Sequence, residues 1–158
     1  MECGADLINW PRVHQRDVRD VDHTIQALKY EHIRHDFWCE VQLTPRAVSF
    51  ARKHGRSGIL REARARIETK LVQPGTFADW GQTPFENKGN AIHFAQHATA
   101  TCCRRCIEVW HGIARDEVIS RNDVEYFSQL ILRYVVDRLP DLAAKPVAFP
   151  RKTMRKAS

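Results

Sequence analysis

Three of the five cysteines and three of the eight histidines fall in one run, His93 to Ile113, HFAQHATATCCRRCIEVWHGI. Thiols and imidazoles gathered this densely are either buried in the core or held to a shared ion, so the domain is expected to be built around this stretch. Cys103-x-x-Cys106 has the two-residue gap that lets two thiolates reach one metal ion from a single turn of chain. Cys102, His97 and His111 are the nearby groups able to complete a tetrahedral set. Zinc is the expected ion, and iron the less favoured one. A lone CxxC is a weak signature, because common zinc frameworks carry a second pair at suitable spacing and this chain has none.

Helix geometry divides the readings of this run. In one unbroken helix over residues 93–111, at about 100° per residue, Ala95, Ala98, Cys102, Cys106 and Val109 share a face. His93, His97, Arg104 and His111 then lie nearly opposite, so cysteines and histidines cannot share an ion, and the cysteines are small core residues. The alternative is a break near the β-branched Thr99 and Thr101, with Thr101 as N-cap of a new helix. His97 would face the start of that helix, where the dipole lowers the pKa of Cys102 or Cys103 and favours both metal binding and nucleophilicity.

The rest of the chain reads as mainly α-helical: a single compact domain of about five helices, one long ordered loop over 73–92 and room for a short strand pair. Val18, Val21, Ile25 and Leu28 predict an amphipathic helix from Asp17 to about His32. Trp38 to Leu43 fits a helix end or a short strand, and Cys39 is read as a core thiol. Thr44-Pro45 opens a helix that should stop near His54-Gly55. The next runs from about Ser57 to Pro74 with Ile59, Ala63, Ile67 and Leu71 inward. The loop is expected to fold back over the 93–113 run, presenting Gln82 and Thr83 toward the cysteines. Gly112 should cap the site helix, and Ser120-x-x-Asp123 should open a last helix ending at Leu139-Pro140. Residues 1–16 are read as an N-terminal arm, 17–141 as the globular domain, and 142–158 as a basic, disordered tail.

Charge needs dissecting before it is used. The net charge is +6. Lys145, Arg151, Lys152, Arg155 and Lys156 supply +5 of it with no acid after Leu142, which leaves 6 − 5 = +1 for residues 1–141. The high isoelectric point therefore describes the tail, through which nucleic acid or an acidic partner would bind, and not a basic groove. An odd cysteine count with two adjacent, and no basic-then-apolar leader in MECGADLINW, point to a reducing cytoplasm. The strongest apolar run, Leu130-Ile131-Leu132, is interrupted at once by Arg133, so no membrane span is expected.

Several of these pieces together carry a resemblance: Gln82-Thr83-Pro84, then Ala95-Gln96-His97-Ala98-Thr99-Ala100-Thr101-Cys102-Cys103-Arg104, Cys106, and Trp110-His111-Gly112-Ile113. From Thr44 to Asp137, with Arg34 and Phe37 fitting the start of the pattern, the chain resembles the mainly bacterial and phage family catalogued as domain of unknown function 4186. The resemblance implies a shared fold and names no activity. The chain has Gly89-Asn90-Ala91 where the family reads Gly-His-Pro, and Glu62-Ala63 where it often reads His-Ala.

Four function classes follow. In a metal-binding domain, Cys102, Cys103, Cys106, His97 and His111 are the ligand candidates, with Gln82, Thr83, Gln96 and Arg104 around them. A metal-dependent hydrolase would leave one coordination position open to water. A thiol-dependent enzyme or redox sensor would use Cys102 or Cys103 as nucleophile, activated by His97 or His111. A nucleic-acid-associated adaptor would rely on the tail with Arg104 and Arg105. The chain has no HExxH, no HxE upstream of PCxxC, no P-loop and no GxGxxG, which argues against metzincin-like proteases, nucleobase deaminases and nucleotide-binding folds.

Overall fold

Ser120 accepts the Asp123 N–H in its side chain at 3.1 Å and starts the helix that the rest of the protein packs around, Arg121–Arg138. Its inward stripe, Val124, Phe127, Ile131, Tyr134 and Val135, is buried throughout. The computed structural model describes residues 8–77 and 82–146. Among them are seven helices: α1 (Trp10–Val13), α2 (Val21–Tyr30), α3 (His32–Cys39), α4 (Pro45–Lys70), α5 (Ala91–Ala98), α6 (Arg104–His111) and α7 (Arg121–Arg138). α7 lies along α4 and α5, and α5 also packs on α3 and α4. No described helix is long and apolar enough to cross a membrane.

The chain is mainly helical, as expected, but with seven helices in place of about five, and no strand among the described residues. The extra helices come from local capping. Glu31 adopts an extended conformation and its carboxylate accepts from Ile33 N (3.2 Å) and Arg34 N (2.9 Å), which ends α2 and starts α3 one residue later. α3 then runs through Trp38 and Cys39, where a strand had been allowed. Trp38 holds it there, donating to the Ala98 carbonyl at 3.0 Å and meeting the Tyr134 ring edge-on at 4.9 Å. Cys39 is exposed, with Sγ 3.6 Å from His35 Nδ1, so it is not a core thiol.

Thr44 and Pro45 open α4 as the sequence predicts, with Thr44 Oγ1 accepting the Ala47 N–H at 3.2 Å. Gly55 bends the helix without ending it: its φ of 67° is left-handed, and Arg56 N and Ser57 N turn outward to donate to the carbonyls of Ala143 (2.8 Å) and Ala144 (3.0 Å). A Cβ at Gly55 would stand 2.5 Å from the Lys145 carbonyl oxygen, so only glycine fits this crossing. Residues 142–145 are thus laid across α4, and the rest of the basic segment, 147–158, lies outside the described residues. At the other end α1 is docked rather than loose. The Trp10 ring packs edge-on against Trp110 at 4.8 Å, and Arg16 joins Asp123 (2.7 Å) and the His111 carbonyl (2.7 Å).

Candidate metal centre

The 93–113 run breaks where the second reading placed the break, but the cap is Cys103 and not Thr101. α5 ends at Ala98, Thr99 bonds back to the Ala95 carbonyl, and Ala100 takes a left-handed φ of 56°. A non-glycine residue there costs about 1–2 kcal/mol, so neighbouring bonds must hold the turn. Gln96 does so from both ends: its carbonyl accepts Thr101 N at 2.9 Å and its side-chain amide donates to the Thr101 carbonyl at 3.0 Å. The Thr99 and Thr101 hydroxyls bond to each other at 3.0 Å. The reversal directs Cys102 back toward the first turn of α6.

Cys102, Cys103 and Cys106 are therefore brought together, with all three Sγ atoms within 4.8 Å of one another and all three residues buried. They are the one group of three or more His, Cys, Asp or Glu residues with metal-holding geometry among the described residues. Cys103 Sγ, as N-cap, accepts the Cys106 N–H at 3.4 Å. The hydrogen bonds of the Cys102 and Cys106 thiols, followed by the backbone N–H groups of Cys106 and Arg105, hold Cys103 well below the ordinary thiol range. The same sharing pushes Cys102 far up, as the proton donor to Cys103 and Cys106 in a buried setting.

A cation faces this cluster. Arg34, from α3, is only 4% exposed; its Nη2 donates to Cys106 Sγ at 3.2 Å and its Nη1 to the His97 carbonyl at 2.6 Å. Sequence reasoning placed Arg34 in the family pattern but gave it no role. Its burial was readable, because it shares the helical face of Phe37 and Trp38, three and four residues on.

Neither histidine is a member of the three-thiol group, although Cys103 lies near enough to His97 to act on it electrostatically. His97 Nε2 donates to the Thr83 carbonyl at 3.2 Å, and its ring stacks on Phe37 at 5.4 Å. Burial lowers its pKa. His111 Nε2 donates to the Thr99 carbonyl at 2.9 Å, and complete burial pushes its pKa down to about 3. The polar residues of the family motif hold backbone. Thr83 Oγ1 donates to the Cys102 carbonyl at 2.5 Å, whereas Gln82 is exposed. Arg104, fully buried, donates to the carbonyls of Leu71 (2.8 Å), Val72 (3.2 Å), Ala114 (2.9 Å) and Glu117 (2.5 Å). Its own N–H donates to the Phe77 carbonyl at 2.8 Å, so Arg104 fastens the loop after α4 to the start of α6.

Fold and site together define a helical domain with a buried three-thiol cluster at a helix N-terminus, closed by a guanidinium. Residues 22–136 match the family described as Domain of unknown function (DUF4186), and the chain belongs to that family. No solved structure matches the chain.

Proposed function

We propose that this protein is a metal-binding domain in which Cys102, Cys103 and Cys106 hold one zinc ion as thiolates. The observation that carries the reading is the mutual approach of the three Sγ atoms to within 4.8 Å. Thiolates each about 2.3 Å from a tetrahedral zinc stand about 3.8 Å apart, so side-chain rotation within the cluster is enough to close on an ion. Charge supports the same assignment. Three thiolates and a divalent ion sum to −1, and the Arg34 guanidinium against Cys106, itself 3.8 Å from the Glu31 carboxylate, offsets that charge. Thr83, Gln96 and Arg104 fix the backbone of the ligating turn, the work that outer residues do around metal sites.

The test is metal content after purification without chelator, in the native chain and in two variants. Native protein should carry about one zinc per chain. Cys106→Ser should lose it, and Cys39→Ser, whose exposed thiol is not part of the three-thiol group, should keep it. Metal-free native protein whose melting temperature is unmoved by added zinc would remove the reading.

A second reading rests on Cys103 as a thiolate N-cap facing Cys106. In metal-free protein the Cys103 thiolate would attack a disulfide oxidant and release one thiolate, which takes the Cys106 proton; Cys106 sulfur would then displace the second thiolate and close Cys103–Cys106, the pair losing two electrons and one proton in all. Oxidised glutathione should then produce one intramolecular disulfide that mass spectrometry places on those two residues. Slow, uniform oxidation of all thiols would exclude a redox role.

A further inference from the structure

A zinc ion held by three thiolates has one coordination position left, and no imidazole or carboxylate among the described residues joins the thiol group to fill it. Cys106 is the cluster member that meets the outside. It is 7% exposed against 2% for Cys102 and 1% for Cys103, and it borders a surface cavity of about 280 Å3 formed with Ile33, Arg34, Arg105, Val109 and Trp110. The walls are apolar: Ile33 and Val109 stand 52% and 64% exposed at the rim, which water alone does not reward, and the Trp110 ring forms the inner side. Two cations, Arg34 at the floor beside Cys106 and Arg105 at the rim, border the same space. The volume is near the lower end of small-molecule pockets, about 300–1,000 Å3.

Resting on the zinc reading above, we propose that this cavity is a ligand site in which a small apolar thiol binds the ion through its sulfur. The Arg34 guanidinium, ion-paired with Glu31 at 3.8 Å, and Arg105 at the rim set positive charge beside the open position, which favours an anionic donor over a neutral one. A soft donor suits an ion already held by sulfur. The binding step displaces water from the ion: the ligand S–H bond breaks, its proton goes to solvent, and the sulfur lone pair forms the new metal–sulfur bond. The ligand's carbon body takes the place of water against Ile33, Val109 and Trp110.

Cobalt(II) in place of zinc tests the two readings separately. Cobalt-loaded full-length protein should show tetrahedral visible bands and a sulfur-to-cobalt charge-transfer band. Phenylmethanethiol should raise that band by about one third as three thiolates become four. 2-Mercaptoethanol should need at least a tenfold higher concentration, because it leaves the apolar walls unfilled. Val109→Asp, at an exposed position, should leave cobalt uptake unchanged and weaken phenylmethanethiol binding at least tenfold. No cobalt uptake overturns the zinc reading itself. Stoichiometric cobalt with a spectrum that phenylmethanethiol does not change overturns the ligand site alone, as does equal binding of the two thiols or a Val109→Asp variant that binds like the native chain.

Discussion

Replacing Arg34 with methionine keeps the length of the side chain and removes the cation that donates to Cys106 Sγ. The losses include two charge-assisted bonds, to Cys106 Sγ at 3.2 Å and to the His97 carbonyl at 2.6 Å, and the ion pair with Glu31 at 3.8 Å, from a residue 4% exposed. Each such bond contributes about 1.5–3 kcal/mol, but the loss divides between two states. In metal-free protein the thiols can take up protons, so the deficit is largely the charged donor lost from the His97 carbonyl, about 1–2 kcal/mol. With zinc bound, a net charge of −1 is left buried, and affinity should fall 10–100-fold, or about 1.4–2.8 kcal/mol. Competition with a chromophoric chelator reads the affinity, and urea unfolding of metal-free protein reads the stability. Arg104→Met is the control. It strips donors from four carbonyls, which should cost at least about 3 kcal/mol of stability, while zinc affinity of the folded fraction stays within about threefold. An Arg34→Met protein that binds zinc as tightly as the native chain would refute the charge argument and make Arg34 a packing residue.

Gly55→Ala combines a left-handed φ of 67° with a Cβ 2.5 Å from the Lys145 carbonyl oxygen, and should cost at least about 2 kcal/mol in urea unfolding. Melting like the native protein would mean that residues 142–145 do not lie across α4. His111 has a folded pKa of about 3 against about 6.5 unfolded, so below pH 6.5 the unfolded chain binds the extra proton and the folded chain does not. Its contribution is nil above that pH and grows to about 2 kcal/mol of lost stability by pH 5, and metal-free His111→Asn should lack this part of the acid slope. An identical slope in the variant would contradict a buried neutral imidazole. Deleting residues 147–158 removes Arg151, Lys152, Arg155 and Lys156, and should lower the salt dependence of polyanion binding by a slope of about 4 without moving the melting temperature. Unchanged binding to heparin would place the basic surface elsewhere.

Where a residue's role depends on chain neighbours it was legible in the sequence. Thr44-Pro45, Ser120 with Asp123, and Gly112 with its φ of 74° cap the helices expected of them, because each cap satisfies its own first or last turn. The three cysteines were legible as a group for the same reason, since only five residues span Cys102 to Cys106. Long-range burial was not legible. Arg104 was read as a neighbour of the metal or as a nucleic-acid contact, yet it is fully buried because the carbonyls of residues 71, 72, 114 and 117 converge on it from segments far apart in sequence. Gly55 read as a stop signal, because the chain that crosses it there arrives almost ninety residues later. Glu31 was missed as a helix start, since a glutamate at N-cap is a weaker signal than serine, threonine, aspartate or asparagine.

X-ray absorption at the zinc edge of protein purified without chelator tests the three-thiolate site most directly, because it counts the sulfur atoms around the ion. Three sulfur scatterers at about 2.3 Å and one lighter atom at about 2.0–2.1 Å are the expected shell. Two or fewer sulfurs with several lighter atoms, or a native chain that carries no metal to measure, would contradict it.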